Sequence, residues 1–216
     1  MRTVVYTGTR NVYADMAVAC KSLLIHNGAD RVIFLIEDDA FPGELPPIVE
    51  TMNVSGQKFF PPDGPNYSSL WTYMAMMKAA VPLILTGRVL LLDCDTIIHG
   101  SLDGLWSLPD APIYMARETR VEEYYNAGVI LMDCEAMRED APRIIDLINT
   151  QPMLLCDQDA INQVMAGRIS ALPPEYNASP WTLPPDALEI ITHYAGERRW
   201  QWHPLWQSYA VQPWPR

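Results

Sequence analysis

The sequence predicts an α/β fold in which helices flank a mixed, mostly parallel β-sheet. Strand and helix patterns alternate from the amino terminus onward, with turn residues between them. A continuous apolar run, residues 89–92, is typical of a strand buried on both faces. The apolar fraction is 49% of 216 residues, which suffices for a substantial core in one domain spanning residues 1–216.

The amino-terminal part predicts a strand–helix–strand unit. A strand is expected at residues 3–6, a helix from Asp15 as its N-cap to Asn27-Gly28, and a strand at Arg31–Ile36. Such units are normally right-handed and parallel. This part contains neither a Gly-x-Gly-x-x-Gly turn nor a Gly-Lys-Ser loop, so a classical dinucleotide site and a P-loop are not supported.

The rest of the chain continues the alternation of helices and strands. A short strand is expected at residues 58–60, and a helix at residues 69–80 leads through Pro82 and Gly87 into the apolar run. Further strands are expected at residues 113–116, 128–132 and 190–192, with helices at residues 140–149 and 157–167.

Charge and cysteine usage narrow the class of protein. A net charge of −11 argues against nucleic acid and anionic membranes as partners. The four cysteines are scattered without a Cys-x-x-Cys pair, which favours a reducing compartment. Residues 1–6 resemble a strand more than a signal peptide, and no apolar run approaches the ~20 residues of a membrane span. We therefore expect a soluble cytoplasmic domain.

The apolar run ends in Asp93-Cys94-Asp95, and this stretch organises the functional prediction. Because side chains alternate along a strand, Asp93 and Asp95 should project to one side while Cys94 points away. Two carboxylates at the end of a buried strand repel each other and require a positive partner. Ligands of open α/β sheets bind beyond the carboxyl ends of the strands. We expect the pair to hold a divalent metal on the phosphates of a substrate.

Asp-x-Asp alone is a short and common pattern, but its surroundings resemble glycosyltransferase family 8. That family includes glycogenin and the bacterial lipopolysaccharide galactosyltransferases. Stretches that match in the family's order lie at residues 6–13, 88–98, 125–129 (Tyr-Asn-Ala-Gly-Val), 157–162 (Asp-Gln-Asp-Ala-Ile-Asn) and 193–200 (His-Tyr-Ala-Gly-Glu-Arg-Arg-Trp). The resemblance implies a GT-A (Rossmann-like) nucleotide-sugar-binding fold. It also implies retaining transfer of a hexose, glucose or galactose, from a UDP-sugar to an acceptor hydroxyl.

Asp93, Asp95 and His193 are the expected metal ligands. Two carboxylate oxygens and one imidazole nitrogen suit Mn²⁺ or Mg²⁺, with diphosphate oxygens completing the coordination shell. The plain alternatives are a loop-capping role for the two aspartates and a structural role for His193. The match of residues 193–199 to the family's His-x-x-Gly-x-x-Lys pattern favours the metal role, although Arg199 replaces the usual lysine.

The resemblance also assigns residues to the nucleotide part of the donor. These are Thr7, Gly8, Thr9, Asn11 and Tyr13 in the uridine-binding turn, Lys78 near the donor phosphate and sugar, Cys94 between the two aspartates, and Gly196 and Arg199 at the diphosphate. Tyr13 is expected to stack on uracil. Thr9 stands where many bacterial members have aspartate, and Arg198 competes with Arg199 for the diphosphate. For Lys78, an exposed helix lysine is the alternative.

The expected catalytic residues are Asn126, Asp157 and Gln158. By the resemblance, Asn126 binds donor-sugar hydroxyls, Ala127 and Gly128 leave room for the sugar ring, and residues 157–158 flank the anomeric carbon. Locally, Asp157 or Asp159 is a good helix N-cap. Retention is compatible with a covalent intermediate or with front-face attack, and the second is favoured because an amide is a poor nucleophile. Further candidates for sugar stacking are Tyr176-Asn177 and Trp181, Trp200, Trp202 and Trp206, although most tryptophans are core residues.

Two other functions stay open at this point. One is a nucleotide-sugar-binding module without transfer activity. The other is a haloacid-dehalogenase-type phosphatase, whose first motif would be Asp93, Asp95 and Thr96. For the transferase, the expected partners are the nucleotide-sugar donor and a carbohydrate, lipid-linked sugar or protein acceptor, with a homodimer left open.

Overall fold

The strands pair into a large sheet and a small ribbon in the computed structural model, which describes residues 1–68, 72–183, 187–197 and 199–215. The large sheet contains β1 (Thr3–Thr7), β2 (Arg31–Ile36), β3 (Val49–Asn53), β4 (Arg88–Leu92), β6 (Ile113–Arg117), β7 (Tyr125–Asp133) and β8 (Ser170–Leu172). The ribbon pairs β5 (Thr96–Ile98) with β9 (Ile191–His193). In the large sheet the order is β3-β2-β1-β4-β7-β6-β8.

The large sheet is mixed and mostly parallel, as the sequence predicts. Within the described part of the large sheet, β7 runs antiparallel to its neighbours β4 and β6, and the other pairs of strands are parallel. Strands β1 and β4 are buried on both faces, so that Val5 and Leu91 belong to one core and Val4 and Leu90 to the other. The carboxyl ends of β1, β4 and β6 consequently meet at the same edge of the sheet.

Helices cover both faces of the large sheet. They are α1 (Tyr13–Ile25), α2 (Thr72–Ile84), α3 (Asp103–Trp106), α4 (Cys134–Met137), α5 (Ala141–Thr150), α6 (Cys156–Val164) and α7 (Pro204–Ala210). Residues of α2, α4, α5 and α6 build one core, and residues of α1 and α7 contribute to the other. Within the described residues, every helix is too short or too polar to span a membrane.

The stretch at residues 88–98 is two strands rather than one. A turn at Cys94-Asp95 separates β4 from β5, and β5 leaves the large sheet to pair with β9. Asp93 therefore lies between β4 and the turn, and Asp95 lies in the turn. This departure from a straight strand is what moves the second aspartate toward β9.

Helix α1 begins two residues before the predicted N-cap, Asp15. One turn of 3-10 helix, Arg10–Val12, leads directly into the helix, and Val12 takes the N-cap position without a side-chain hydrogen bond. Asp15 lies in the first turn instead, where its carboxylate accepts a hydrogen bond from Gln201. The carboxylate that was expected to cap the helix thus binds Gln201, a residue distant in sequence.

The predicted strand at residues 58–60 is wrong, and β3 lies earlier in the chain. The amide oxygen of Gln57 accepts hydrogen bonds from the backbone nitrogens of Phe59 and Phe60. Asn149 donates to the carbonyl oxygen of Phe59 at 2.7 Å. Side chains thus occupy the backbone groups that a strand would need.

Helix α2 continues past Pro82, against the predicted end near residue 80. Proline removes one backbone hydrogen bond, but Val81 and Leu85 remain buried and Leu85 donates to the carbonyl of Val81 at 2.9 Å. The predicted start of this helix, residues 69–71, lies outside the described residues.

Smaller differences concern the carboxyl-terminal half. Helix α6 has Leu155 at its N-cap, so Asp157 and Asp159 lie inside its first turn instead of capping it. Strand β7 starts earlier than expected, β9 is shifted by one residue, and β8 and α7 were not predicted.

We expect Tyr6→Phe to stabilise the fold. Tyr6 is fully buried, and its hydroxyl has no hydrogen-bond partner among the described residues. An unsatisfied buried polar group costs roughly 1–3 kcal/mol, so removing it should raise the free energy of unfolding by about 1 kcal/mol in urea denaturation. Tyr13→Phe is the matched control, because the equally buried Tyr13 hydroxyl accepts a hydrogen bond from the Glu37 nitrogen. Tyr13→Phe should destabilise the protein, and an equal loss in both variants would contradict the expectation.

Candidate active site

Strand pairing brings the three predicted metal ligands together. Asp93 directly follows β4, and its backbone nitrogen donates to the carbonyl of Gly128 in β7 at 2.8 Å. The carbonyl of Asp95 accepts from the nitrogen of Tyr194 at 3.0 Å. Because Thr96 of β5 pairs with His193 of β9, the imidazole lies beside the carboxylates despite the long separation in sequence.

The geometry of these ligands suits a six-coordinate divalent cation. His193 Nε2 lies 3.4 Å from Asp95 Oδ1 and 3.7 Å from Asp93 Oδ2, and the possible ligand atoms all lie within 4.8 Å of one another. Adjacent ligands of an octahedral ion with bonds of about 2.1 Å are separated by about 3.0 Å. The two separations that involve Nε2 exceed this value by 0.4 and 0.7 Å, so the imidazole and each carboxylate lie close to the spacing of adjacent ligands. The donor set of two oxygens and one nitrogen fits Mn²⁺ or Mg²⁺.

The electrostatics of the cluster also favour a cation. Burial lowers the pKa of His193, but the carboxylates of Asp95 and Asp93 outweigh it, so the pKa is raised above its ordinary value. Burial raises the pKa of Asp95, yet His193 more than compensates and the pKa is lowered. A proton on His193 and a divalent metal therefore compete for the same position.

Lys78 is a buried internal cation. Its ammonium nitrogen lies 2.9 Å from Asp93 Oδ1, 2.9 Å from Asp157 Oδ2 and 3.0 Å from the carbonyl oxygen of Ala127. Burial lowers the pKa of Lys78, but Asp157 and Asp93 outweigh it and raise the pKa. The alternative of an exposed helix lysine is wrong, since Lys78 is 4% exposed. Contact of Lys78 with the sugar donor stays a prediction. It would require the ammonium group to give up one of these three contacts.

A cavity of about 290 Å³ opens beside the metal ligands. It is lined by Ala75, Lys78, Asp93, Asp95, Glu118, Asn126, Ala127, Gly128, Leu155, Asp157, Gln158, Trp181, His193, Ala195 and Gly196. The predicted metal and catalytic residues thus share one cavity with Lys78, Ala127, Gly128 and Gly196. The roles assigned to them in sugar transfer stay predictions.

Glu118 is a cavity residue that the sequence analysis missed. Gln158 donates from Nε2 to Glu118 Oε1 at 3.1 Å, and Asn126 donates from Nδ2 to the same oxygen at 3.5 Å. Gln158 Oε1 accepts from the backbone nitrogen of Ala127 at 2.9 Å, which fixes the amide at both ends. The sequence feature that could have identified Glu118 is its position immediately after β6, at the same edge of the sheet as Asp93.

The predicted uridine-binding turn lies outside the cavity lining. Tyr13 is 1% exposed, and its ring packs against Phe41 with centroids 5.2 Å apart. A Cβ on Gly8 would lie 2.6 Å from Met16 Sδ, so this glycine lets α1 pack closely against the end of β1. Stacking of uracil on Tyr13 stays a prediction, and it needs this ring to become accessible.

Within the same turn, two polar side chains satisfy each other. The hydroxyl of Thr9 donates to Asn11 Oδ1. Thr7 ends β1 and is half-buried at the edge of the sheet next to β4. Base or ribose contacts by Thr7, Thr9 and Asn11 stay predictions.

Of the remaining predicted donor contacts, only Gly196 lines the cavity. Gly196 has φ = +75°, a conformation that glycine adopts readily. Cys94 is partly buried against the core beneath α1. Arg199 is exposed, and its guanidinium carbon lies 4.9 Å from the ring centroid of Trp202. Arg198, the competing candidate, lies outside the described residues.

The candidates for sugar stacking differ in exposure. Tyr176, Asn177 and Trp206 are buried, so their roles are inside the fold. Trp181 lines the cavity, with the Arg120 guanidinium 4.3 Å from its ring centroid and Nε1 donating to the Ala195 carbonyl at 3.1 Å. Trp181 is therefore a stacking candidate that is in contact with the cavity.

Gly128 leaves room for the imidazole of His193, a predicted metal ligand. A Cβ on Gly128 would lie 1.9 Å from His193 Cε1 and 2.5 Å from His193 Nε2. The backbone of β7 is thus the surface on which the His193 ring rests. A register shift between β6 and β7 at Met115/Ala116 accompanies this close approach. The sequence analysis expected this glycine to make room for the sugar ring.

We expect Gly128→Ala to weaken binding of Mn²⁺ at least about tenfold in calorimetry, because the new methyl group must displace the His193 ring. Metal affinity falls by about this factor when a contact that supports a ligand is lost. Gly100→Ala is the control, since its Cβ would meet only Ile190 Cγ2 at 3.9 Å. Unchanged Mn²⁺ affinity in folded Gly128→Ala would show that His193 is not a ligand.

Curated relatives cover part of this chain. General stress protein A of Bacillus subtilis is 26% identical over 140 residues, which are 54% of this chain and 49% of that protein. A putative glycosyltransferase of Haemophilus influenzae is 24% identical over 170 residues, which are 64% of this chain and 50% of that protein. The chain thus spans about half the length of the curated relatives it matches.

Solved structures share the fold. The glycosyltransferase GlyE of Streptococcus pneumoniae aligns with a TM-score of 0.76 at 20% identity, over 99% of this chain and 61% of that one. The galactosyltransferase LgtC, in complex with donor and acceptor sugar analogs, aligns with a TM-score of 0.71 at 19% identity, over 96% and 95% of the two chains. Mouse xyloside xylosyltransferase 1 aligns with a TM-score of 0.63 at 16% identity, over 90% and 97%.

At these identities the structural likeness establishes the fold alone, which is the GT-A fold expected from the sequence. Family membership rests on the sequence itself. The model of glycosyl transferase family 8 matches residues 3–201, nearly the whole chain, and the protein therefore belongs to that family.

Proposed function

We propose that this protein transfers a hexose, glucose or galactose, from UDP to an acceptor hydroxyl with retention of configuration, in the presence of Mn²⁺ or Mg²⁺. The observation that carries the proposal is the shared cavity. Asp93, Asp95 and His193 line it together with Asn126 and Gln158. A nucleotide sugar needs both groups, because its diphosphate requires a cation and its sugar hydroxyls require hydrogen-bonding partners.

The metal end of the cavity would bind the diphosphate. An ion held by Asp93, Asp95 and His193 supplies positive charge that stabilises the leaving UDP. The protein carries a net charge of −11, so phosphate binding without a cation would be opposed by the protein's own field. The two aspartates and the histidine would fix the position of the ion.

At the sugar end of the cavity, two side-chain amides are held in fixed orientations. Asn126 and Gln158 both donate to Glu118, so each has a defined orientation before the donor arrives. Preorganised dipoles lose little energy to rearrangement during the reaction. Ala127 follows Asn126 in β7 and lines the cavity with a small side chain, while its backbone nitrogen holds the Gln158 amide.

The same contacts favour front-face attack over a covalent intermediate. The oxygen of the Gln158 amide already accepts a hydrogen bond from Ala127, and Asp157 is ion-paired with the buried Lys78. Neither group is a free nucleophile. The acceptor oxygen would bond to the anomeric carbon on the face that UDP leaves, and its proton would pass to the departing phosphate oxygen. A glycosyl adduct on Asp157 or Gln158 in a mass spectrum would contradict this route.

Partners and location follow from the proposed reaction. The donor is a nucleotide sugar, and the acceptor is a carbohydrate, a lipid-linked sugar or a protein. Because the chain belongs to family 8, the phosphatase alternative is dropped. A nucleotide-sugar-binding module without transfer remains the rival, because Thr9 and Arg199 depart from the residues that are usual in the family at these positions. Cytoplasmic location stays a prediction, and the homodimer finds no support in the structure.

The experiment is a panel of UDP-glucose, UDP-galactose and UDP-xylose with Mn²⁺, assayed for UDP release. We expect turnover with a hexose donor and an α-linked product by NMR. Asp95→Ala should remove most of this turnover, because one metal ligand is lost, whereas Asp110→Ala changes a fully exposed carboxylate and should leave it intact. An unchanged rate in Asp95→Ala would refute the proposed function. UDP binding without turnover on any acceptor would favour the binding module.

A further inference from the structure

We propose that Asn177 is a positioning residue that holds the metal ligand His193 and the sugar-side residue Asn126 at the same time, an inference that rests on the proposed function. Asn177 is completely buried, between β9 and β7. Its oxygen Oδ1 lies 2.9 Å from His193 Nδ1, and its nitrogen Nδ2 donates to Asn126 Oδ1 at 2.9 Å. One buried amide thus touches both ends of the cavity.

The orientation of these amides follows from a backbone group. The backbone N–H of Gly128 can only donate, and it contacts Asn126 at 2.9 Å, so the contacted atom of Asn126 must be its oxygen. The atom of Asn177 facing that oxygen must then be its NH₂ group. The other end of Asn177, facing His193 Nδ1, is therefore the carbonyl oxygen.

This orientation fixes the tautomer of His193. The amide carbonyl and the two carboxylates can all only accept, but Nδ1 lies at 2.9 Å from Asn177 Oδ1, whereas Nε2 lies at 3.4 and 3.7 Å from the carboxylates. In the neutral ring the hydrogen therefore resides on Nδ1, in the shorter hydrogen bond, and the lone pair of Nε2 faces Asp95 and Asp93. Without Asn177 the two carboxylates would favour a hydrogen on Nε2, which would block that nitrogen as a ligand. Asn177 thus keeps the imidazole ready for a metal.

Asn177 is itself rigidly held. It ends a 3-10 helix, Pro174–Asn177, and its carbonyl accepts a hydrogen bond from the hydroxyl of Thr182. The next residue, Ala178, accepts a hydrogen bond from the backbone nitrogen of His193 at 2.8 Å. The backbone of Asn177 therefore keeps its register with β9, so that its side chain stays opposite the imidazole.

The two hydrogen bonds of Asn177 can be separated by substitution. Asn177→Leu removes both at similar volume, and loss of such a supporting contact weakens metal binding about 10–100-fold. Asn177→Asp keeps an acceptor for the Nδ1 hydrogen but replaces the donor to Asn126. We expect it to retain Mn²⁺ affinity within about threefold while its kcat for the sugar donor falls, since carboxylate–histidine pairs support metal ligands well.

Calorimetry with Mn²⁺ and ¹⁵N NMR of the metal-free protein test the proposal. In wild type, at a pH where the ring is neutral, the spectrum should show the Nδ1–H tautomer for His193, assigned by comparison with His193→Gln. Asn66→Leu is the matched control, because Asn66 is also a buried amide that bonds elsewhere, to the carbonyls of Ile148 and Gln151. It should leave Mn²⁺ affinity unchanged.

A predominant Nε2–H tautomer in wild type would overturn the proposal, and this measurement needs no variant to fold. Equal Mn²⁺ affinity in Asn177→Leu and wild type would overturn it too. Neither readout requires UDP-sugar turnover. An inactive protein with the expected tautomer and metal affinities would therefore refute the proposed function and leave the role of Asn177 intact.

Discussion

Compensation of the charge on two neighbouring carboxylates is the constraint on which the rest of this structure depends. Asp93 and Asp95 lie just beyond a strand that is buried on both faces. Lys78 neutralises Asp93 from the interior through Oδ1, whereas His193 approaches from the opposite side through Oδ2 and Asp95. One fixed cation does not balance two carboxylates and the nearby Asp157. The remaining negative charge faces the cavity, where a divalent ion would complete the balance.

The architecture around the carboxylates keeps both sides of the cavity in register. Strand β7 contributes Asn126 and Gly128, one as a hydrogen-bonding group and the other as a flat surface for the imidazole. The ribbon of β5 and β9 brings His193 onto that surface. Because Asn177 bonds to residues of both β9 and β7, a shift of His193 is transmitted to Asn126 through a single amide. Such a fully bonded buried network is rigid, which suits a site that aligns two substrates.

The parts of the fold that depend on local rules could be predicted from the sequence. The buried run before Asp93 identified β4, and the meeting of carboxyl ends at one sheet edge placed the two aspartates in the site. His193 and Gln158 were reached only through the resemblance to family 8. The strand expected at residues 58–60 failed because Gln57 and Asn149 capture that backbone. Helix α2 continues past Pro82 because Val81 and Leu85 remain packed in the core. The tendency of proline to end a helix does not take such packing into account.

Contacts between residues distant in sequence account for what was missed. Sequence position alone does not identify the hydrogen-bonding partners of Glu118 and Asn177, because these partners arrive through pairing of β6, β7 and β9. The most direct test of the central claim is anomalous diffraction from crystals soaked with Mn²⁺ and UDP. The account predicts one peak within about 2.5 Å of an oxygen of Asp93, an oxygen of Asp95 and Nε2 of His193. A peak elsewhere, or none while the imidazole keeps its present contacts with both carboxylates, would contradict it.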